Sequence, residues 1–243
     1  MPKYDVTKLN VAIDKLLAVT TNPRHRFLLQ AYSRHRYLEV AGRYEEIFAP
    51  DMMAPNPCYH IQAEGMHARL EGQDAVRSLY RMWAETNQSI FYIETEQVAV
   101  ADNFVASTMN YHQQLWGKSL TFNKATSYVP RLLAKKNMKA DENAMYLYSN
   151  FVEMVWPYDE RGRLLGEHVW EPDPDKADIA KIDPADVLTT AQSRKLLSPL
   201  IKPLPSFDEM VLGRKGRCLT VRSTRRASEN ATRLETRERC DGY

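Results

Sequence analysis

Cysteine and glycine are scarce in this chain of 243 residues, which holds three of the first and nine of the second. Cys58, Cys218 and Cys240 are too widely spaced for a disulfide framework or a metal knuckle, so the expected setting is a reducing cytoplasm. The glycines form no P-loop, dinucleotide fingerprint or Gly-x-Ser-x-Gly elbow. The six histidines never fall at His-x-x-x-His or His-x-His spacing, so no metal is expected. No run approaches the roughly 18 apolar residues of a membrane span. The opening Met1-Pro2-Lys3-Tyr4-Asp5 reads as no secretory signal. Charge of one sign is also missing from most of the chain. Of the net +2, residues 213–243 carry nine Lys/Arg against four Asp/Glu, which leaves the remainder at −3. A nucleic-acid groove on the folded body is therefore not expected.

The chain does have enough apolar material for a core, at 44% hydrophobic and 10% aromatic residues. Val6, Leu9, Ile13, Leu16 and Leu17 follow a helical period. Asn22-Pro23 then reads as a helix start, and Gly42 as the end of a helix reaching about Val40. A short helical piece over 44–48 precedes a three-proline stretch, 50–58, expected to be a loop, after which Tyr59 opens a strand. Gly72-Gln73-Asp74 leads into a helix whose Val76, Leu79, Tyr80 and Trp83 share a face. Ile90–Ala101 and Phe104–Trp116 flank Asp102-Asn103 as a hairpin, and Met145–Trp156 and Arg163–Trp170 form a second. A third strand is expected from Ser119, an exposed insertion or lid over 130–143, and a helix from Asp183-Pro184. The expected divisions are 1–22 as a helical extension, 23–171 as the main domain, 172–212 as linker and helix, and 213–243 as a basic, disordered tail. Helices followed by long antiparallel strands predict an α+β fold, a curved sheet wrapped over helices around a cavity.

Four stretches resemble the nuclear transport factor 2-like superfamily, the fold of ketosteroid isomerase, scytalone dehydratase and the SnoaL-like polyketide cyclases. They are Ala41-Gly42-Arg43-Tyr44-Glu45-Glu46-Ile47-Phe48-Ala49-Pro50-Asp51, Asn56-Pro57, Gly72-Gln73-Asp74-Ala75-Val76-Arg77-Ser78-Leu79-Tyr80, and Tyr158-Asp159-Glu160-Arg161-Gly162-Arg163-Leu164-Leu165. The resemblance spans about 24–171 and implies a cone-shaped sheet and acid/base chemistry without metal or organic cofactor. It sets the family's pocket-facing position near His35, Arg36 and Tyr37, with one or two of them over the pocket unless Arg34, His35 and Arg36 form a solvated face, and it turns Met154 and Glu167 inward, with His168 on the other face. Asn56 stands where the isomerases hold their base, and an amide cannot take a proton there.

Strand alternation lets only one of Tyr59 and His60 face inward, with Tyr59 preferred. The parity of Val105, Met109, Tyr111 and Leu115 directs Tyr111 into the cavity and His112 away, unless a bulge reverses them. Trp83 is a candidate wall residue. Glu167 is the expected general base, since burial raises a carboxyl's pKa, and the competing reading pairs it with Arg36 or Arg69. These residues point to a lyase acting on a small, bulky aromatic alcohol, of the kind that dehydrates lignin-derived diarylpropanes with loss of formaldehyde. An isomerase, a polyketide cyclase, or a non-catalytic ligand-binding module would use a similar cavity. A homo-oligomer, dimer or trimer, is expected to cover the sheet's outer face.

Overall fold

Asn22 begins the longest helix by accepting from the amides of Arg24 at 2.9 Å and His25 at 3.2 Å, with Pro23 fixing the first turn. In the computed structural model, which describes residues 4–121 and 128–213, the helices are α1 (Val11–Val19), α2 (Pro23–Val40), α3 (Gly72–Glu85), α4 (Val129–Lys135), α5 (Thr190–Leu197) and α6 (Phe207–Met210). The strands are β1 (Met53–Ala63), β2 (Met66–Glu71), β3 (Phe91–Val100), β4 (Phe104–Trp116), β5 (Met145–Pro157), β6 (Leu164–Trp170) and β7 (Asp178–Lys181). Gly42 ends the α2 turn at φ +63°, a conformation that suits glycine, and a Cβ there would meet Thr190 Cγ2 at 2.2 Å. Among the described residues no helix is long and apolar enough to cross a membrane.

The fold is α+β, with an open, curved sheet in the order β2-β1-β6-β5-β4-β3, to which β7 adds by pairing with β5. Only β1 and β6 run parallel, with Tyr59 opposite Glu167 and His60 opposite His168. The two expected hairpins form, with Val100 opposite Val105 across the first. The inner face of the sheet packs on α2 and α3 through Leu28, Tyr32, Val76, Tyr80, Val105 and Trp156, all buried. Because α2 has the sheet on one side and α1 and the C-terminal segment on others, even His35, Arg36 and Glu39 are buried.

Several expectations are corrected. Residues 50–58 are not all loop, since β1 begins at Met53. Its prolines Pro55 and Pro57 fall between the Met53–Leu164 and Cys58–Gly166 pairs, where the register shifts and no ladder amide is required of them. After Ala63 the chain reverses through Glu64 and Gly65, both at positive φ, into β2, a strand that sequence reading did not find. Ser119 opens a 3-10 turn rather than a strand. The expected exposed insertion begins in α4, whose Leu132 and Leu133 are buried in a second core with Tyr146, Val152 and Ile179, while most of 134–143 is exposed. The stretch after Glu171 supplies β7, and the expected helix starts at Thr190, where Thr189 and Gln192 form a capping box. The tail expectation concerns residues 214–243, which lie outside the described residues.

Candidate active site

The inner face of the sheet and α2 enclose a cavity whose free space, as the volume open to the centre of a water molecule, is about 60 Å³. Its apolar wall includes Trp83, Phe91, Met109, Val152, Met154 and Trp156. Its polar wall is Arg36, Glu39, Glu64, Tyr111, Gln113 and Glu167. Tyr32, Arg36 and Glu39 reach it because steps of four and three residues keep one face of a helix together.

Arg36 is held at both ends of its guanidinium. Nη1 donates to Glu96 Oε1 at 2.8 Å and Nη2 to the Leu9 carbonyl at 2.9 Å, with both charged side chains 2% exposed. Burial works against the charge of Arg36, but Tyr32, Glu96 and Glu39 outweigh it and hold its pKa above the usual value. The arginine pairing expected for Glu167 is therefore taken by Glu96, while Arg69 pairs with Glu71 at the surface.

The side chains of Glu167 and Glu39 are buried, and with the described residues neither carboxyl makes a hydrogen bond or an ion pair. Burial pushes Glu39 up to about 8, with Arg36 pulling the other way. Burial also holds Glu167 well above the carboxylate range, the charges of Glu39 and Glu64 add to the shift, and Arg36 opposes it. Glu39 thus adds to the shift of Glu167, and both carboxyls keep a proton to higher pH than an exposed carboxyl does.

Glu64, in the β1–β2 turn, joins a different network. The Tyr111 hydroxyl lies 3.0 Å from Glu64 Oε1 and 3.1 Å from Glu171 Oε1. A hydroxyl has one proton, so one of those carboxyls must carry its own. Glu64, pushed up to about 8 by burial and by the charge of Glu171, is that one. Glu171 accepts from Tyr148 at 2.8 Å, from Tyr128, and from the Glu64 amide at 3.2 Å. Burial still raises its pKa, and the three tyrosines and that amide oppose the shift.

Of the residues singled out from sequence, Arg36, Trp83, Tyr111, Met154 and Glu167 line this one cavity. Two others sit behind its wall. Tyr59 is 1% exposed, and its hydroxyl is taken by Tyr80 at 3.1 Å, which also meets His35 Nε2 at 2.8 Å. Burial lowers His35 to about 3, so it is neutral, and raises Tyr59 well above 10. Neither is placed to exchange protons with a ligand.

The remaining candidates lie elsewhere. Tyr37 points from the opposite side of α2, toward Leu9 and Leu197. Asn56 is exposed in the irregular part of β1. His60 stacks on His168 at 4.9 Å on the outer face, where alternation carries both away from Tyr59 and Glu167. His112 also faces outward, with Nδ1 2.6 Å from Ser149 Oγ and Tyr4 stacked on it at 4.1 Å.

Sequence reading missed Glu39, Glu64, Glu96 and Glu171. Glu171 was within reach of it, since Glu167, Val169 and Glu171 alternate on one face. Glu39 follows Arg36 by three residues on α2. Trp156 completes the wall, and its buried indole N–H has no partner among the described residues. Among the described residues, no group of three or more His, Cys, Asp or Glu side chains is arranged to hold a metal ion.

No family model matches the chain, and no curated protein does. Solved structures do. An NTF2-like protein from Anabaena variabilis is 10% identical at a TM-score of 0.41, over 63% of this chain and 94% of its own. A protein named as a SnoaL-like polyketide cyclase from Jannaschia sp. is 8% identical at 0.44, over 63% of this chain and 90% of its own. The CaMKII hub of S. rosetta is 13% identical at 0.38, over 63% of this chain and 99% of its own. At such identities and scores the likeness concerns the fold, and the functional reading rests on the residues of this chain.

Proposed function

We propose that the protein is an acid/base enzyme whose side chains eliminate or shift a proton on a small, largely apolar substrate carrying a hydroxyl or carbonyl. The observation that carries this reading is the pair of buried carboxyls, Glu39 and Glu167, which face one cavity with no hydrogen-bond partner. Structural carboxylates are normally hydrogen-bonded within the fold when buried, whereas these two leave their oxygens to whatever fills the cavity. In elimination, the ionised member takes a proton from carbon while the protonated member donates to the departing hydroxyl. Isomerisation uses the same two groups to remove a proton from carbon and return it at another. Arg36 lies close enough to favour the ionised member, and Tyr111 offers a hydroxyl to a substrate oxygen.

Within this reading the finer proposal is a lyase on an aromatic alcohol. A diarylpropane diol exceeds the free space of about 60 Å³, so its dehydration requires Met109, Met154 and Trp83 to move aside. A single-ring alcohol or amine also exceeds that space, by less, and requires a smaller displacement of the same side chains. We further propose that a second copy covers the outer face, where Phe151, Val155 and Trp170 are 40%, 42% and 52% exposed. Sedimentation should give a dimer or higher species that Trp170→Asp reduces to monomer, and a monomeric parent would remove this part.

The test of catalysis is turnover of hydroxylated aromatic compounds, one-ring and diarylpropane, in buffer with chelator. New conjugated absorbance and formaldehyde release would be followed for the parent protein, Glu167→Gln and Glu39→Gln. Turnover lost in both variants is expected. Turnover that survives both variants, or none with any compound, contradicts the reading.

A further inference from the structure

The charges around the cavity do not balance. Its wall carries three carboxyls, Glu39, Glu64 and Glu167, and among the described residues one cation, Arg36. That cation is already neutralised by a fourth carboxylate, Glu96, at 2.8 Å, and its other nitrogen is bound to the Leu9 carbonyl. The rest of the wall mixes aliphatic side chains with five aromatic rings, Tyr32, Trp83, Phe91, Tyr111 and Trp156. We propose that the cavity binds a compact organic cation, an arylalkyl ammonium, with Glu39 and Glu167 as its counter-charges.

Three features select this class over others. An anionic ligand would meet three carboxyls and no free cation. A neutral alcohol brings no charge to offset an ionised carboxyl, and its single O–H can donate to only one of the two. An ammonium brings three N–H donors to groups that accept when ionised, and its charge is attracted to aromatic faces. Both carboxyls sit high on the pH scale in the empty cavity, so cation binding should expel protons from them. The indole N–H of Trp156, buried and unpartnered, is a donor suited to an oxygen on the same ligand, as in an amino alcohol or amino ketone. This inference rests on the cavity being the ligand site proposed above and specifies the class of substrate it takes.

The test is isothermal titration of the full chain at pH 7 with 2-phenylethylamine and its neutral counterpart 2-phenylethanol, in two buffers of different ionisation enthalpy. The ammonium is expected to bind at least tenfold more tightly and to release protons to the buffer. Glu39→Gln and Glu167→Gln should each remove most of that preference. Glu153→Gln, on the outer face of β5, should keep it, and circular dichroism melting checks that each variant folds. Equal or tighter binding of the alcohol, a preference that survives Glu39→Gln/Glu167→Gln, or no binding of either compound overturns the inference. Turnover of neutral alcohols that depends on Glu39 and Glu167, without ammonium preference, would remove the inference and leave the acid/base reading. Tight ammonium binding without turnover of any amino alcohol would do the reverse.

Discussion

The molecule buries carboxyls in two different ways, a few residues apart. Glu171 accepts from Tyr111, Tyr128, Tyr148 and the Glu64 amide, so its lone pairs are met by donors that the fold itself supplies. Glu39 and Glu167 meet none, although they are buried to a similar degree, at 9% and 8% exposed against 4% for Glu171. Fully bonded, a buried carboxyl ties elements together, and here Glu171 joins β4, β5 and the chain entering α4. An unbonded one does no such work, and burial makes it keep its proton to a higher pH than an exposed carboxyl. On the proposed reading, the contrast separates structure from function among residues of one chemical type.

The sharpest way to break this comparison is to remove the caged carboxyl. Glu171→Leu removes the acceptor shared by three phenol hydroxyls and an amide, and it should cost about 3–5 kcal/mol in urea unfolding. A loss below about 1 kcal/mol would place Glu171 outside the stabilising core. Next in size is Glu167→Gln. It should lower turnover of any accepted substrate by about a hundredfold or more while leaving the unfolding midpoint unchanged or raised, because it deletes an unsatisfied ionisable group. Destabilisation comparable to that of Glu171→Leu would erase the distinction between the two sites.

The pH dependence sharpens the same contrast. Between its ordinary value of 4.5 and about 8, folded Glu39 keeps a proton that the unfolded chain has released. The folded state then binds more protons, so stability is complete below pH 4.5 and falls as pH rises toward 8. One such group contributes a slope of up to about 1.4 kcal/mol per pH unit. Glu39→Gln should flatten that slope in urea midpoints measured from pH 5 to 8, and an unchanged slope would assign the proton elsewhere. The smallest effect belongs to Tyr111→Phe. It removes the hydroxyl between Glu64 and Glu171 at 3.0 and 3.1 Å and should cost about 1 kcal/mol. A neutral result would mean that the two carboxyls satisfy each other without it.

How much of this the sequence disclosed follows from which forces are local. The alternation of Val105, Met109 and Tyr111 and the short Asp102-Asn103 turn define the first hairpin, because a strand's faces are set by its own periodicity. Asn22-Pro23 likewise announced α2. The start of β1 was hidden because Pro55 and Pro57 read as loop. They are tolerated only because the register shifts there, a property of the partner strand β6. Tyr59 is buried, but its hydroxyl belongs to Tyr80 on α3, a pairing that no local pattern contains. Glu39, near the end of a helix rich in charge, resembles a solvated residue until the sheet and the C-terminal segment close over α2. The site depends on which carboxyls the tertiary structure leaves without donors, and that is decided between elements distant in the chain.

The most direct measurement is an infrared or ¹³C carboxyl spectrum of the protein near pH 7, compared with those of Glu167→Gln, Glu39→Gln and Glu171→Gln. A protonated carboxyl signal is expected in the parent protein, diminished by Glu167→Gln and Glu39→Gln and retained in Glu171→Gln. Fully ionised carboxyls at that pH, or a protonated signal removed by Glu171→Gln alone, would contradict the division between a structural carboxylate and an acid/base pair.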